Sequence, residues 1–179
     1  MINFRIKQKE GYTEKIGELV TMLEHTRDIT LEEISQLSQS ELDYLPDNTS
    51  NSIGALLLHM ASIEYVHQII SFENRDPNEK ELAKWQVALE LGEKGRAGIK
   101  GNPLSYYLDE FSQVRAKTLE LMGSRNDSWL YEENQWDNGV TYNNYYLWYH
   151  VIEDEISHRG QIKTIKRLLA KKAMLDVGM

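Results

Sequence analysis

Apolar side chains in this sequence recur mostly three or four positions apart, the spacing of helices that turn one face to a core. Leu19, Met22, Leu23, Leu31, Ile34 and Leu37 predict a first helix over roughly Glu14 to Ser38. A polar turn from Asp43 to Asn51, holding Pro46, separates it from a second. Ile53, Leu56, Leu57, Met60, Ile63, Val66 and Ile70 carry that second helix to about Phe72. Asn51 or Ser52 can cap it by accepting a backbone N–H, and Asp76-Pro77 ends it. A weaker amphipathic piece, Glu79 to Leu91, leads into Gly92, Gly95, Gly98 and Gly101. A phosphate-binding loop needs a strand before it and a helix N-terminus after it. Neither context is visible, so this glycine run predicts a mobile connection. The third helix begins after Pro103 and carries Tyr106, Tyr107, Leu108, Phe111, Val114, Leu119 and Met122. A loop with Trp129, Trp136 and Gly139 follows, then a fourth helix from about Asn143 to about Ala173. No segment alternates in the manner of a strand. Four long helices with polar connections predict an all-α bundle, one domain over residues 1–179.

The fourth helix carries the chemistry. Leu147, Val151, Asp154, His158, Gln161, Ile165 and Leu168 follow a 4-3 spacing, that of a core-facing seam. The ends of the seam are apolar, but its middle is a carboxylate, an imidazole and an amide. A carboxylate at a core position is costly unless it is paired, hydrogen-bonded or bound to a metal. Asp154 and His158 lie four apart, so both can reach one ion. On the second helix His59 sits between Leu56 and Ile63 and faces inward too. Two imidazoles and a carboxylate suit a divalent metal; equally, Asp154 and His158 could be a buried hydrogen-bonded pair with His59 packed separately. His150, one turn before Asp154, could support such a site from behind or be an ordinary flank residue. His67 reads as core or boundary packing, and His25 has no evident partner. Glu153 and Glu155 are expected to point away from Asp154, which leaves no paired carboxylates. A second apolar stripe, Tyr145, Trp148, Ile152 and Ile156, suggests a homodimer face unless the Trp129–Tyr142 loop covers it.

Composition narrows the function. The chain has 179 residues, 41% hydrophobic and 27% charged, the balance of a folded globular protein. A net charge of -8 argues against nucleic acid, and the Lys163–Lys172 cations suit the negative end of a last helix. No apolar run reaches membrane-spanning length and no secretory leader is visible, so a cytoplasmic setting without membrane contact is expected. With no cysteine, neither a disulfide nor a cysteine nucleophile is available. No serine sits beside an evident base.

Two segments carry a resemblance. Ser52-Ile53-Gly54-Ala55-Leu56-Leu57-Leu58-His59-Met60-Ala61 resembles the second-helix motif of the DinB/YfiT-like superfamily. His150-Val151-Ile152-Glu153-Asp154-Glu155-Ile156-Ser157-His158-Arg159-Gly160-Gln161-Ile162 resembles its last-helix motif, the more specific of the two. The resemblance implies a bacterial, up-down-down-up four-helix bundle with one metal ion on three residues. His59 and His158 match two ligand positions. The third is often histidine and here is Asp154, although branches similar to mycothiol-dependent maleylpyruvate isomerase carry glutamate there. Characterised members of such a family transfer or isomerise with an external thiol such as mycothiol, bacillithiol or glutathione.

The resulting expectation is an enzyme acting on a small molecule. Its metal, held by His59, Asp154 and His158, would activate a low-molecular-weight thiol or water, with Gln161 orienting a ligand or merely adding polarity. The alternatives are a non-catalytic metal- or ligand-binding bundle and a metal-free bundle with a polar core. Mixed nitrogen and oxygen ligands admit zinc, nickel, iron and manganese.

Overall fold

The computed structural model describes residues 2–177. In chain order its helices are α1 (Glu14–Ile34), α2 (Gln39–Leu42), α3 (Ile53–Glu73), α4 (Glu79–Leu82), α5 (Gln86–Glu90), α6 (Gly92–Gly98), α7 (Leu104–Gly123) and α8 (Asn144–Val177). A 3-10 turn, Asp127–Tyr131, and two short strands, β1 (Glu133–Gln135) and β2 (Thr141–Asn143), lie between α7 and α8.

Cross-helix partners fix the topology. Arg159 reaches Thr26 and Thr30 while Lys166 reaches Glu33, so α1 and α8 run parallel. Glu64 meets Arg115 and Gln68 meets Thr118, so α3 and α7 are parallel as well. Ser71 meets Trp148 while His59 lies by Asp154 and His158, so α3 and α8 are antiparallel. The result is the expected up-down-down-up bundle. Helix α3 is apolar on nearly every side because it is the central element, packed on α5, α7 and α8. It is long and apolar enough to cross a membrane, with a mean hydropathy of 1.3, yet 72% of that window is buried in the bundle.

Several local readings change. Helix α1 stops at Ile34 because Ser38 starts a new helix: its hydroxyl accepts from the Glu41 N–H while the Glu41 carboxylate accepts from the Ser38 N–H. At α3 the cap is Ser52, which accepts from the Ala55 N–H. The expected piece Glu79–Leu91 divides into α4 and α5. The glycine run is helical from Gly92 to Gly98 instead of a loose connection, because Gly92 N–H donates to Asn51 Oδ1 and Arg96 to the Thr49 carbonyl. The tryptophan-bearing loop forms an antiparallel hairpin of three residue pairs, too short to register as alternation in the sequence.

On α8 the buried positions are Asn144, Leu147, Trp148, Val151, Ile152, Glu155, Ile162 and Ile165, while Leu168 is exposed. A strict 4-3 pattern drifts about 20° per heptad on a straight helix. By Leu168 the seam has therefore left the core. Trp148 is fully buried, with Phe72 packed between it and Trp129, and Ile152 is buried too. The stripe that suggested a dimer face is thus mostly internal, and only Ile156 of its members is exposed.

Two apolar clusters fill the bundle, one around Leu56, Leu57, Phe111 and Ile162, the other around Leu19, Leu23, Trp129 and Trp148. Four buried charges, one from each long helix, join them. Arg27 holds Glu155 at 3.0 Å and Glu64 at 2.9 Å. Arg115 holds Glu64 at 2.7 Å and donates to the Leu23 carbonyl. The Thr118 hydroxyl donates to Glu64 at 2.7 Å. Glu155, expected to point away from Asp154, turns to these arginines instead and is 2% exposed.

A candidate metal centre between α3 and α8

The antiparallel crossing of α3 and α8 brings His59, Asp154 and His158 together. His59 Nε2 lies 3.6 Å from Asp154 Oδ1, and His158 Nε2 lies 3.3 Å from the same oxygen. One ligand atom from each of the three falls within 4.8 Å of the others. The two imidazole rings meet edge to face with centroids 4.8 Å apart. The side chains keep 12–14% of their surface exposed, so the group is partly buried but reachable.

Helix α5 decides the state of His59. Its ring Nδ1 sits 2.9 Å from the Ala88 carbonyl oxygen, which can only accept, so Nδ1 carries the proton. In the neutral ring Nε2 then has a lone pair, and that lone pair faces a carboxylate oxygen. Two acceptors face each other stably only with a cation between them, either a proton or a metal. Burial works against the charged His59 ring, but the hydrogen bonds to Asp154 and Ala88 outweigh it and raise its pKa. Burial also works against the Asp154 carboxylate. Hydrogen bonds to His158 and His59 override that and hold it well below the ordinary carboxylate range.

These donors fit a metal on two counts. Ligands about 2.1 Å from one ion in a tetrahedral shell lie roughly 3.4 Å apart, close to the 3.3 and 3.6 Å seen here. Asp154 Oδ2 is buried with no hydrogen-bond partner, a polar atom beside the donor set that the protein itself leaves unanswered.

The other candidates lie elsewhere. Gln161 is exposed, lining a groove with Asn51, Ser157 and Ile165, while Ile162 occupies the core position beside it. His150 Nδ1 contacts Glu153 at 3.3 Å, and its ring lies 5.6 Å from that of His67. His67 is buried, its Nδ1 donating to the Ile63 carbonyl, and burial pushes its pKa down to about 4. His25 has a partner after all, the Asn3 carbonyl. The sequence reading missed Ala88: a backbone carbonyl has no side-chain signature, and α5 appeared only as part of a weak amphipathic piece.

The family model for mycothiol S-transferase matches residues 18–170, a span that includes all three candidate ligands. The chain belongs to that family. Among solved structures, a conserved protein from Enterococcus faecalis is similar in fold, with a TM-score of 0.66 and 17% identity over 86% of this chain and 95% of that one. No functionally curated protein matches the chain. Within the mycothiol S-transferase family frame, α3 and α8 are the two helices that supply the candidate donors.

Proposed function

We propose that this chain is a metal-dependent enzyme of the thiol S-transferase type. One divalent ion would be held by His59, Asp154 and His158, and a low-molecular-weight thiol would serve as cosubstrate. One observation carries the reading: two imidazole Nε2 atoms converge on a single carboxylate oxygen whose partner oxygen is buried and unbonded.

A divalent cation bound there would supply the charge that makes a thiol acidic enough to ionise near neutral pH. The protein's own groups do the rest. Ala88 fixes the His59 tautomer and so presents Nε2. Asp154 is held ionised and is the one anion of the donor set, so a dication keeps one positive charge with which to attract a thiolate. The nearby carboxylate of Glu155 does not add to this, because the buried arginines neutralise it. With no cysteine in the chain, the thiol must arrive from outside. We take the setting to be cytoplasmic and the substrate to be a small molecule. A homodimer remains part of the proposal, to be tested by light scattering at micromolar concentration.

The decisive experiment is elemental analysis of protein purified without added metal, compared with His59→Ala. A first-row divalent metal near one equivalent in the parent, lost in the variant, supports the site; full metal content in His59→Ala removes it. Metal-loaded protein is then incubated with mycothiol, bacillithiol or glutathione and a panel of electrophiles. Conjugate formation that disappears in His59→Ala supports the activity, and no conjugate with any thiol would leave a binding protein instead.

A further inference from the structure

The orientation of His59 depends on a chain of contacts that begins outside the metal centre. The Ala88 carbonyl that fixes its tautomer belongs to α5, a helix of five residues with no side-chain cap. So short a helix does not hold its own position. Trp85 and Ala88 seat it against the apolar cluster of α3, and its C-terminal end is set by the turn that follows, where Leu91 takes φ +50 and ψ −146 and Gly92 takes φ +58. A leucine in that region of backbone space is disfavoured and persists only when its surroundings fix it. Two contacts fix it: the Leu91 side chain packs against the apolar cluster around Leu56, and Asn51, immediately before the cap of α3, accepts the Gly92 N–H on its Oδ1 at 3.0 Å. Arg96 donates to the Thr49 carbonyl at 3.1 Å and ties α6 to the same loop. Behind Gly95 lie the Val87 carbonyl and the Ala55 side chain, so α6 rests on α3 one turn before His59.

We propose that Asn51 is a positioning residue for the metal centre. It holds the Leu91–Gly92 turn, the turn holds α5, and the Ala88 carbonyl of α5 keeps His59 with its proton on Nδ1 and Nε2 free for the ion. Partners of this kind, one shell behind a ligand, commonly govern affinity by ten- to a hundred-fold. The inference rests on the metal reading above.

The test uses the full chain and Zn2+. Zinc affinity is measured by competition with a chromophoric chelator, and the His59 tautomer is read from imidazole 15N shifts of the metal-free protein at a pH high enough that the ring is neutral. The parent shows one tautomer, with the proton on Nδ1. Asn51→Ala is expected to show a tautomer mixture and zinc affinity lowered about ten- to a hundred-fold. Asn51→Asp, which keeps an acceptor oxygen, should restore both. A merely structural role would lower thermal stability and leave the tautomer unchanged. Should Asn51→Ala not fold, Asn51→Gln, which displaces the acceptor oxygen by one methylene, is read in the same two assays and is expected to give the same two changes. A folded variant with parental tautomer and affinity, or no rescue by Asn51→Asp, overturns the proposal. His59→Ala separates the two levels. If it binds zinc like the parent, the metal reading falls and this inference falls with it. If it loses zinc while Asn51→Ala binds normally, only the role of Asn51 is wrong.

Discussion

At the scale of single residues, Asp154 is the distinctive member of the candidate centre. It contributes the charge, and both imidazoles lean on one of its oxygens. Asp154→Ala should lower zinc affinity by more than the roughly ten- to hundred-fold that loss of a supporting partner behind a ligand costs. Asp154→Asn, which keeps an oxygen but loses the charge, should fall between; chelator competition distinguishes them. The pH dependence follows from His59, whose pKa is raised above the 6.5 of a free imidazole. In metal-free protein its contribution to stability is complete below about 6.5 and is lost as pH rises through the folded-state value. A metal displaces that proton, so stabilisation by zinc should grow between about pH 6 and 8. Melting temperatures with and without Zn2+ across that range check it; a zinc effect that shrinks as pH rises would contradict it. The three side chains were legible in the sequence because helical spacing places polar groups in an apolar seam. The partners of Glu155 were not legible, because periodicity reports a face and not the charges on neighbouring helices.

At the scale of elements, close packing of α3 on α7 rests on one glycine. A Cβ at Gly54 would lie 2.4 Å from the Tyr107 hydroxyl oxygen and 2.8 Å from its Cζ, with Tyr107 itself buried. Gly54→Ala should therefore destabilise the bundle by about 1–3 kcal/mol. Gly160, on an exposed turn of α8, has nothing within 4 Å of its Cβ position. There alanine should be neutral or stabilising by up to about 1 kcal/mol, since it favours helix over glycine. Urea denaturation of the pair is the check, and equal effects would contradict this packing. The four long helices could be read from their apolar period, which stems from burial along their whole length. Elements α2, α4, α5, α6 and the two hairpin strands have three to seven residues each, too few for a period to emerge. Their form is imposed by capping side chains and by ties to other segments, such as Asn51 to Gly92.

At the scale of the whole molecule, the Arg27–Glu64–Arg115–Glu155 network joins all four long helices. Burial alone would raise the Glu64 carboxyl, but Arg115 and Arg27 override it and lower its pKa to about 2. Its stabilisation is therefore present above about pH 4.5 and lost as pH falls toward 2. Removing one partner leaves uncompensated buried charge, so Glu64→Ala should cost about 3–5 kcal/mol. Its stability should also respond less to acid below pH 4.5 than the parent's; a parental acid response in denaturant titrations would count against the network. In the sequence nothing marked this cluster, because its hydrogen-bonded pairs lie 37, 51 and 128 residues apart.

That separation has a consequence for assembly. A bundle joined only by apolar faces can slide by a turn at modest cost, whereas a slide here would strand four charges in the interior. The network thus acts as an alignment key for the helices. Glu64 lies five residues after His59, and Glu155 lies between Asp154 and His158. The register that satisfies the charges is the same register that brings the candidate donors face to face.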